Sequence, residues 1–547
     1  MKKLICVILL FSVTAPFYGC TRKQPAYTDI LDHPLLSRLP QETIAFLLYD
    51  TSSTSYQKLR EVYTDNDIFN LARLGNRRSP DGIRLISALF AADGLDLLPA
   101  ANISAKGSGF FFFMALKNGT PTTGLVASLN KKVNTEARIK AVKNKLIKEG
   151  FKVTAHPTGN FGLRIESGDN SSAGLFDTYY LTSDKQMIFL STSEGDLKQL
   201  LETKETDTLK KLKSSNAFKK SLKAIGKRSH EIALGYADLS RLYRYFSRSN
   251  KTFPGQINAT NVPFNSFLYT QQFDSVVHNR AVISINESKD NPIGQFLAVL
   301  KQAGTYTPDM IPANSVMALS LDASVLKLFE KMSSARPKVA GASVSFKLPA
   351  WTEYLSEASL AVTTSGEASP FPGVVWELRS DDAGEQLYSG LKSDISSLLT
   401  SLKMPLSQMQ STEIAGIPTE YALSPLGIGI YIGKVKDTVV LGSEQSAYTA
   451  AVNARSGINP NILSKFTSKS ITNNRSRVAA FFLDSDGLLK LLKSVKGTLD
   501  MFSGGQGAQA FGNLEQLKQA GRVQVRINYT PDGMILVDSF SEYNKQS

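Results

Sequence analysis

Four aspartates sit where acid–base chemistry finds its raw material. Asp50, Asp238, Asp322 and Asp484 each close an apolar stretch and open a helical pattern, in "YDTSS", "ADLSR", "LDASV" and "LDSDG". Two carboxylates brought together can divide proton donation and acceptance between them. The same side chain at a helix start accepts backbone N–H groups that the first turn leaves unpaired. All four recur at the same kind of junction, so capping is the expectation for them and catalysis is not.

Other chemistry-bearing residues are scattered. His33, His156, His230 and His278 lack HxxxH or HxH spacing, and Cys6 and Cys20 are the only cysteines, so no metal site is expected. "GGQGAQAFG" from Gly504 has the glycines of a phosphate loop, but it follows a helical pattern and lacks the Lys and Ser/Thr of that loop. No GxSxG occurs, and "DSDG" lacks the downstream glutamate of a calcium loop. No cofactor is expected. Tyr236, Tyr243, Tyr245 and Phe246, with Trp351, form an aromatic set for which a ligand groove and a core edge compete; their close spacing favours the core edge.

The elements that must position these residues come in two series. "LPQETIAFLLYD" from Leu39 is answered by "IPANSVMALSLD" from Ile311, with Pro40 facing Pro312 and Asp50 facing Asp322. The segments from Gly124, Gln186 and Glu231 are answered in the same order by those from Gly373, Asp437 and Arg477. Each series closes in a hairpin, the second turning at Pro531, Asp532 and Gly533. Ordered matches over about 250 residues point to a duplicated unit too long for a solenoid repeat. The expected organisation is a lobe over 38–286, a linker or hinge helix over 287–309 and a second lobe over 310–547. Its expected fold class is α+β, two tandem similar lobes, each a largely antiparallel mixed sheet covered by helices. Ile44, Phe46 and Leu48 should face the first core as Val316, Ala318 and Ser320 face the second. The hydroxyl of Ser320 suggests that this face is less deeply covered in the second lobe, or that Met317, Leu319 and Leu321 supply more of that second core.

The N-terminus reads as an address. "MKKLICVILLFSVTAPFYGC" has Lys2 and Lys3, an apolar run too short to span a bilayer, and Gly19 before Cys20. Residues 1–19 are expected to be a lipoprotein signal, Cys20 the lipidated residue, and 20–37 a tether. Thr21 resembles an outer-membrane address in a two-membrane envelope, facing periplasm or surface. Acyl chains there contribute about 0.8 kcal/mol per buried CH₂, enough for firm anchoring.

The formal charge of +14 is unevenly spread. Lys210, Lys211, Lys213, Lys219, Lys220 and Lys223 crowd one stretch, and "NTEARIKAVKNKLIKEG" places Ile139, Val142 and Leu146 at helical spacing among further lysines. A solvated face accounts for such runs; contact with anionic lipid headgroups or an acidic envelope polymer is the sharper reading. Export argues against nucleic acid as partner.

The apolar strand opened by "LP" and a polar pair, the later strand–turn–strand–helix unit, and the strand ending in Asp before a helix resemble an exported or membrane-anchored bacterial family. It is a domain of unknown function whose members open with LPADT-like words, here "LPQET" and "IPANS". That resemblance implies architecture and export, and no catalytic residue. The reading is of a lipid-anchored envelope protein that binds or scaffolds without catalysis, with an envelope hydrolase acting on wall polymer or lipid, or a periplasmic carrier of a hydrophobic ligand, as the alternatives.

Overall fold

The computed structural model describes residues 29–53, 55–56, 109–128, 135–166, 178–184, 187–202, 206–226, 231–249, 262, 264–273, 276–286, 297, 299–304, 311–334, 348–364, 372–381, 384–401, 409–424, 429–465, 477–503, 521–530 and 532–542. The leader, Cys20, His230 and the glycine-rich run from Gly504 lie outside them. The chain divides into two compact units, Met1–Ile285 and Asn286–Ser547.

Unit 1 contains strands β1 (Thr43–Asp50), β2 (Gly109–Lys117), β3 (Thr120–Ser128), β4 (Lys152–Ala155), β5 (Asn160–Glu166), β6 (Thr178–Asp184), β7 (Met187–Ser191), β8 (Glu231–Ala237), β9 (Phe264–Phe273) and β10 (Val277–Ile285). They pair in the order β4-β5-β6-β7-β3-β2-β1-β8-β9-β10. Unit 2 contains β11 (Ser315–Asp322), β12 (Leu355–Thr363), β13 (Gly373–Ser380), β14 (Gln410–Ile414), β15 (Ile417–Leu423), β16 (Gly429–Val435), β17 (Thr438–Gly442), β18 (Arg477–Asp484), β19 (Arg522–Thr530) and β20 (Met534–Glu542). Their order is β14-β15-β16-β17-β13-β12-β11-β18-β19-β20, the same path ten strands later.

Irregularities recur as well. The β1–β2 ladder slips between Thr43 and Ala45, and β11–β12 slips between Ser315 and Met317. The β8–β9 and β18–β19 ladders slip between Glu231 and Ala233 and between Arg477 and Ala479. Gly124 pairs with Phe113 and Ser191 as Val375 pairs with Ala361 and Gly442. Val375, not Gly373, is therefore the positional counterpart of Gly124. The two-residue difference keeps side chains on the same face.

The expected α+β class, with mixed sheets covered by helices, is corrected. The framework is twenty β-strands, every described pairing is antiparallel, and strand outweighs helix among the described residues. Strands joined through a helix either pair antiparallel, as β8 with β9, β11 with β12 and β18 with β19, or are not neighbours at all. Helix α1 (Thr135–Lys148) links β3, which pairs with β2 and β7, to β4, which pairs with β5. Two-residue turns such as Asn118-Gly119, both at positive φ, set antiparallel neighbours directly.

Burial shows what each sheet face meets. Ile44, Phe46 and Leu48 are buried, and so are Ala45, Leu47 and Tyr49. Leu47 and Tyr49 pack with Ile139, Val142 and Leu146 of α1. Val316, Ala318 and Ser320 are buried in unit 2, but Met317 and Leu321 are half-buried and Leu319 is exposed. The larger apolar set of β11 thus does not supply more of the second core. Residues 30–37, expected within a tether, lie in two 3-10 turns, Ile30–Asp32 and Pro34–Arg38, that bury Ile30, Leu31, Leu35 and Leu36.

Candidate functional site

Each strand-end aspartate has backbone donors in hand. Asp50 Oδ1 accepts Ser52 N–H at 2.8 Å and Asp238 Oδ1 accepts Arg241 N–H at 2.9 Å. Asp322 accepts Ser324 N–H at 2.7 Å and Gly304 N–H at 2.8 Å. Asp484 accepts Gly487 N–H at 3.1 Å and pairs with Lys465 at 2.9 Å. Asp322 stands directly across from Glu357, both buried. Their carboxylates have different partners: Glu357 accepts the Ser320 hydroxyl and lies 3.5 Å from Arg379.

Glu357 belongs to a buried polar face that sequence reading missed. Across unit 2 the register aligns Glu377, Ser359, Ser320, Ala480, Arg526 and Asp538; in unit 1 the same positions hold Val126, Phe111, Leu48, Leu234, Thr270 and Arg280. Glu357 occupies the place of Gly109, where a Cβ would come within 3.2 Å of the His33 ring. Glu357 and Glu377 are 1 % exposed, whereas Trp376, next to Glu377 along β13, is 50 % exposed. Burial, then the neighbouring Arg477 charge, lower the Arg526 guanidinium to about 10 against the pull of Asp538. At the margin Asp437 meets Arg455 and lies 4.0 Å from Arg379. The detectable signal was the period-two alternation in "SEAS", "WELRS" and "RVQVRIN". Alternation separates two faces without saying which one is inside. Glu357, this deeply enclosed and 3.5 Å from the Arg379 guanidinium, is a structural counter-charge.

The lysine stretch folds differently. Helix α2 (Glu194–Glu202) precedes α3 (Thr208–Ser214) and α4 (Asn216–Ile225), a helical pair. Ser215 caps α4, its Oγ accepting Phe218 N–H at 3.3 Å. Phe218, Ser221 and Ile225 are buried, with Phe218 edge-on to Tyr236 at 5.2 Å. Lys210, Lys211, Lys219, Lys220 and Lys223 are exposed, while Lys213 is half-buried 3.4 Å from Asp32. Between residues 206 and 226 the only acid is Asp207, 3.5 Å from Lys210. This is a cationic surface held by an apolar underside.

The remaining candidates do not converge. His33 Nδ1 accepts Leu35 N–H at 3.2 Å with Nε2 3.7 Å from Asp50. His156 lies 3.8 Å from Glu194, and His278 accepts Arg280 Nε–H at 3.1 Å. Among the described residues no three His, Cys, Asp or Glu side chains gather as a metal cluster. Helix α5 (Leu239–Ser249) carries Tyr245 and Phe246 against Ile44, Ala45 and Leu242, a core edge. Tyr236 is buried, which pushes its phenol far up. Trp351 belongs to unit 2, donating to Asp394 at 2.7 Å. No helix among the described residues is long and apolar enough to cross a membrane. No protein-family model matches the chain, and no curated protein matches it.

Proposed function

We propose that this chain is a lipid-anchored cell-envelope protein, acylated at Cys20, that binds or scaffolds at an anionic surface without catalysis. The observation that carries this reading is the α3–α4 pair, which exposes five lysines while Phe218, Ser221 and Ile225 bury the underside of α4. Clustered exposed lysines are attracted to negatively charged membranes and polymers. The capping roles of Asp50, Asp238, Asp322 and Asp484 favour a non-catalytic reading of those carboxylates. The common ten-strand order of the two units supports descent from one duplicated unit. In the second, residues 457–476 span the corresponding interval and hold Lys465, Lys469 and Arg475. The test is fractionation of cells expressing the native chain or Cys20→Ala. Loss of membrane retention and of N-terminal processing in the variant supports the anchor, and unchanged retention and processing sink it.

A further inference from the structure

We infer that unit 1 lies with its α3–α4 lysine surface against the same bilayer that holds the N-terminus, the occupant being anionic lipid headgroups. This rests on the Cys20 reading and adds an orientation to it. The N-terminal segment is pinned from Asp29 onward: Asp29 accepts Leu31 N–H at 2.9 Å, and Ile30, Leu31, Leu35 and Leu36 are buried. That pinned segment is also the seat of α3. Thr206 donates its N–H to Ser37 O at 2.7 Å and its hydroxyl to Leu39 O at 2.6 Å, and the Thr208 hydroxyl reaches Pro40 O at 3.0 Å. Lys213 Nζ lies 3.4 Å from Asp32 Oδ1. The place where the chain leaves the fold toward Cys20 therefore adjoins the first lysine-bearing helix.

Length closes the argument. From Cys20 to Asp29 the chain can span no more than about 30 Å fully extended, at roughly 3.3–3.6 Å per residue. An acyl anchor at Cys20 thus keeps these lysines within one short tether of the headgroups, where local concentration is high. Phe218, Ser221 and Ile225 turn one side of α4 to the sheet, so Lys219, Lys220 and Lys223 project from the other. Acylation holds the protein on the membrane; the lysines select the face of unit 1 that meets it. A soluble acidic polymer gains nothing from this adjacency, which is why lipid is the favoured occupant.

The full mature chain, coupled through Cys20 to a maleimide lipid, is placed on vesicles of neutral phosphatidylcholine or of phosphatidylcholine with phosphatidylglycerol. Amine acetylation read by mass spectrometry should show Lys219, Lys220 and Lys223 protected on the anionic vesicles, with Lys152, exposed on β4 at the other edge of the same unit's strand order, unchanged. Equal labelling on both vesicles overturns the orientation. Without coupling, Lys219→Gln/Lys220→Gln/Lys223→Gln should bind anionic vesicles about a hundredfold more weakly at low salt, about fivefold per lysine. Binding unchanged by the substitutions, or wild-type binding to heparin that exceeds binding to the vesicles, overturns the lipid assignment. Synthetic coupling bypasses natural acylation, so failure here is separable from failure of the Cys20 reading.

Discussion

Asp322 Oδ2 accepts the backbone N–H of Gly304 at 2.8 Å, while its Oδ1 caps the helix that begins at Ala323. The Gly304 carbonyl in turn accepts Arg477 N–H at 2.9 Å. One carboxylate thus joins the end of the expected linker to the first strand of unit 2. Charge-assisted bonds of this kind contribute about 1.5–3 kcal/mol each, more than a simple cap. Asp322→Ala should lower stability by about 2–3 kcal/mol, and Asp238→Ala, which loses one local cap, by about 1 kcal/mol. Urea unfolding followed in both variants checks this, and equal losses would contradict it.

Asp484 is held below the ordinary carboxylate range. Burial pushes it up, but the Lys465 ion pair, the Gly487 N–H and the Arg522 charge pull it down further. Asp437 is lowered in the same way, burial being outweighed by Arg455, Thr438 and Arg379. A depressed carboxylate pKa gives stability that is present above the unfolded value, about 3.9, and lost as pH falls through the folded value. Urea midpoints should therefore fall below about pH 4. The gap between wild type and Asp484→Asn should be widest near neutrality and close in acid. A gap independent of pH would show that this carboxylate is not linked to folding.

The buried pair of Glu357 and Arg379 supplies a test of the inverted sheet face. Removing one partner of such a pair leaves a buried charge uncompensated, at a cost of about 3–5 kcal/mol. Arg379→Met should fall in that range. Adding Glu357→Gln should recover part of the loss, because no unpaired carboxylate remains. A double variant whose loss is the simple sum of the single ones would show that the pair is uncoupled.

Gly433 and Tyr448 illustrate a contact that tolerates only hydrogen. A Cβ at residue 433 would overlap the Tyr448 hydroxyl, which shares a 2.9 Å hydrogen bond with Thr419. Burial pushes the Tyr448 phenol up to about 12, against the Thr419 hydrogen bond. Gly433→Ala should cost about 1–3 kcal/mol by overpacking. Tyr448→Phe in the same chain should recover some of it, as measured by thermal unfolding. No recovery would place the clash elsewhere, at the Pro418 carbonyl 3.0 Å from that Cβ.

Much of the local structure was legible in the order of residues. Apolar runs ending in aspartate located β1, β8, β11 and β18, and the aspartate-to-helix junctions announced their caps, because both are contacts between near neighbours along the chain. Helical spacing placed Ile139, Val142 and Leu146 on the buried side of α1, and Phe218 and Ile225 are buried beneath the lysines of α4. What the linear pattern could not decide was which ladder each strand joins and which face is enclosed. The antiparallel pairing of the described strands depends on long-range register, such as β3 meeting β7 across α1. Glu357, Glu377 and Arg526 alternate with apolar residues as solvent-facing side chains do, yet they are buried, while Leu319 and Trp376 are exposed. A period of two is symmetric under exchange of the two faces. Only the surrounding tertiary structure breaks that symmetry.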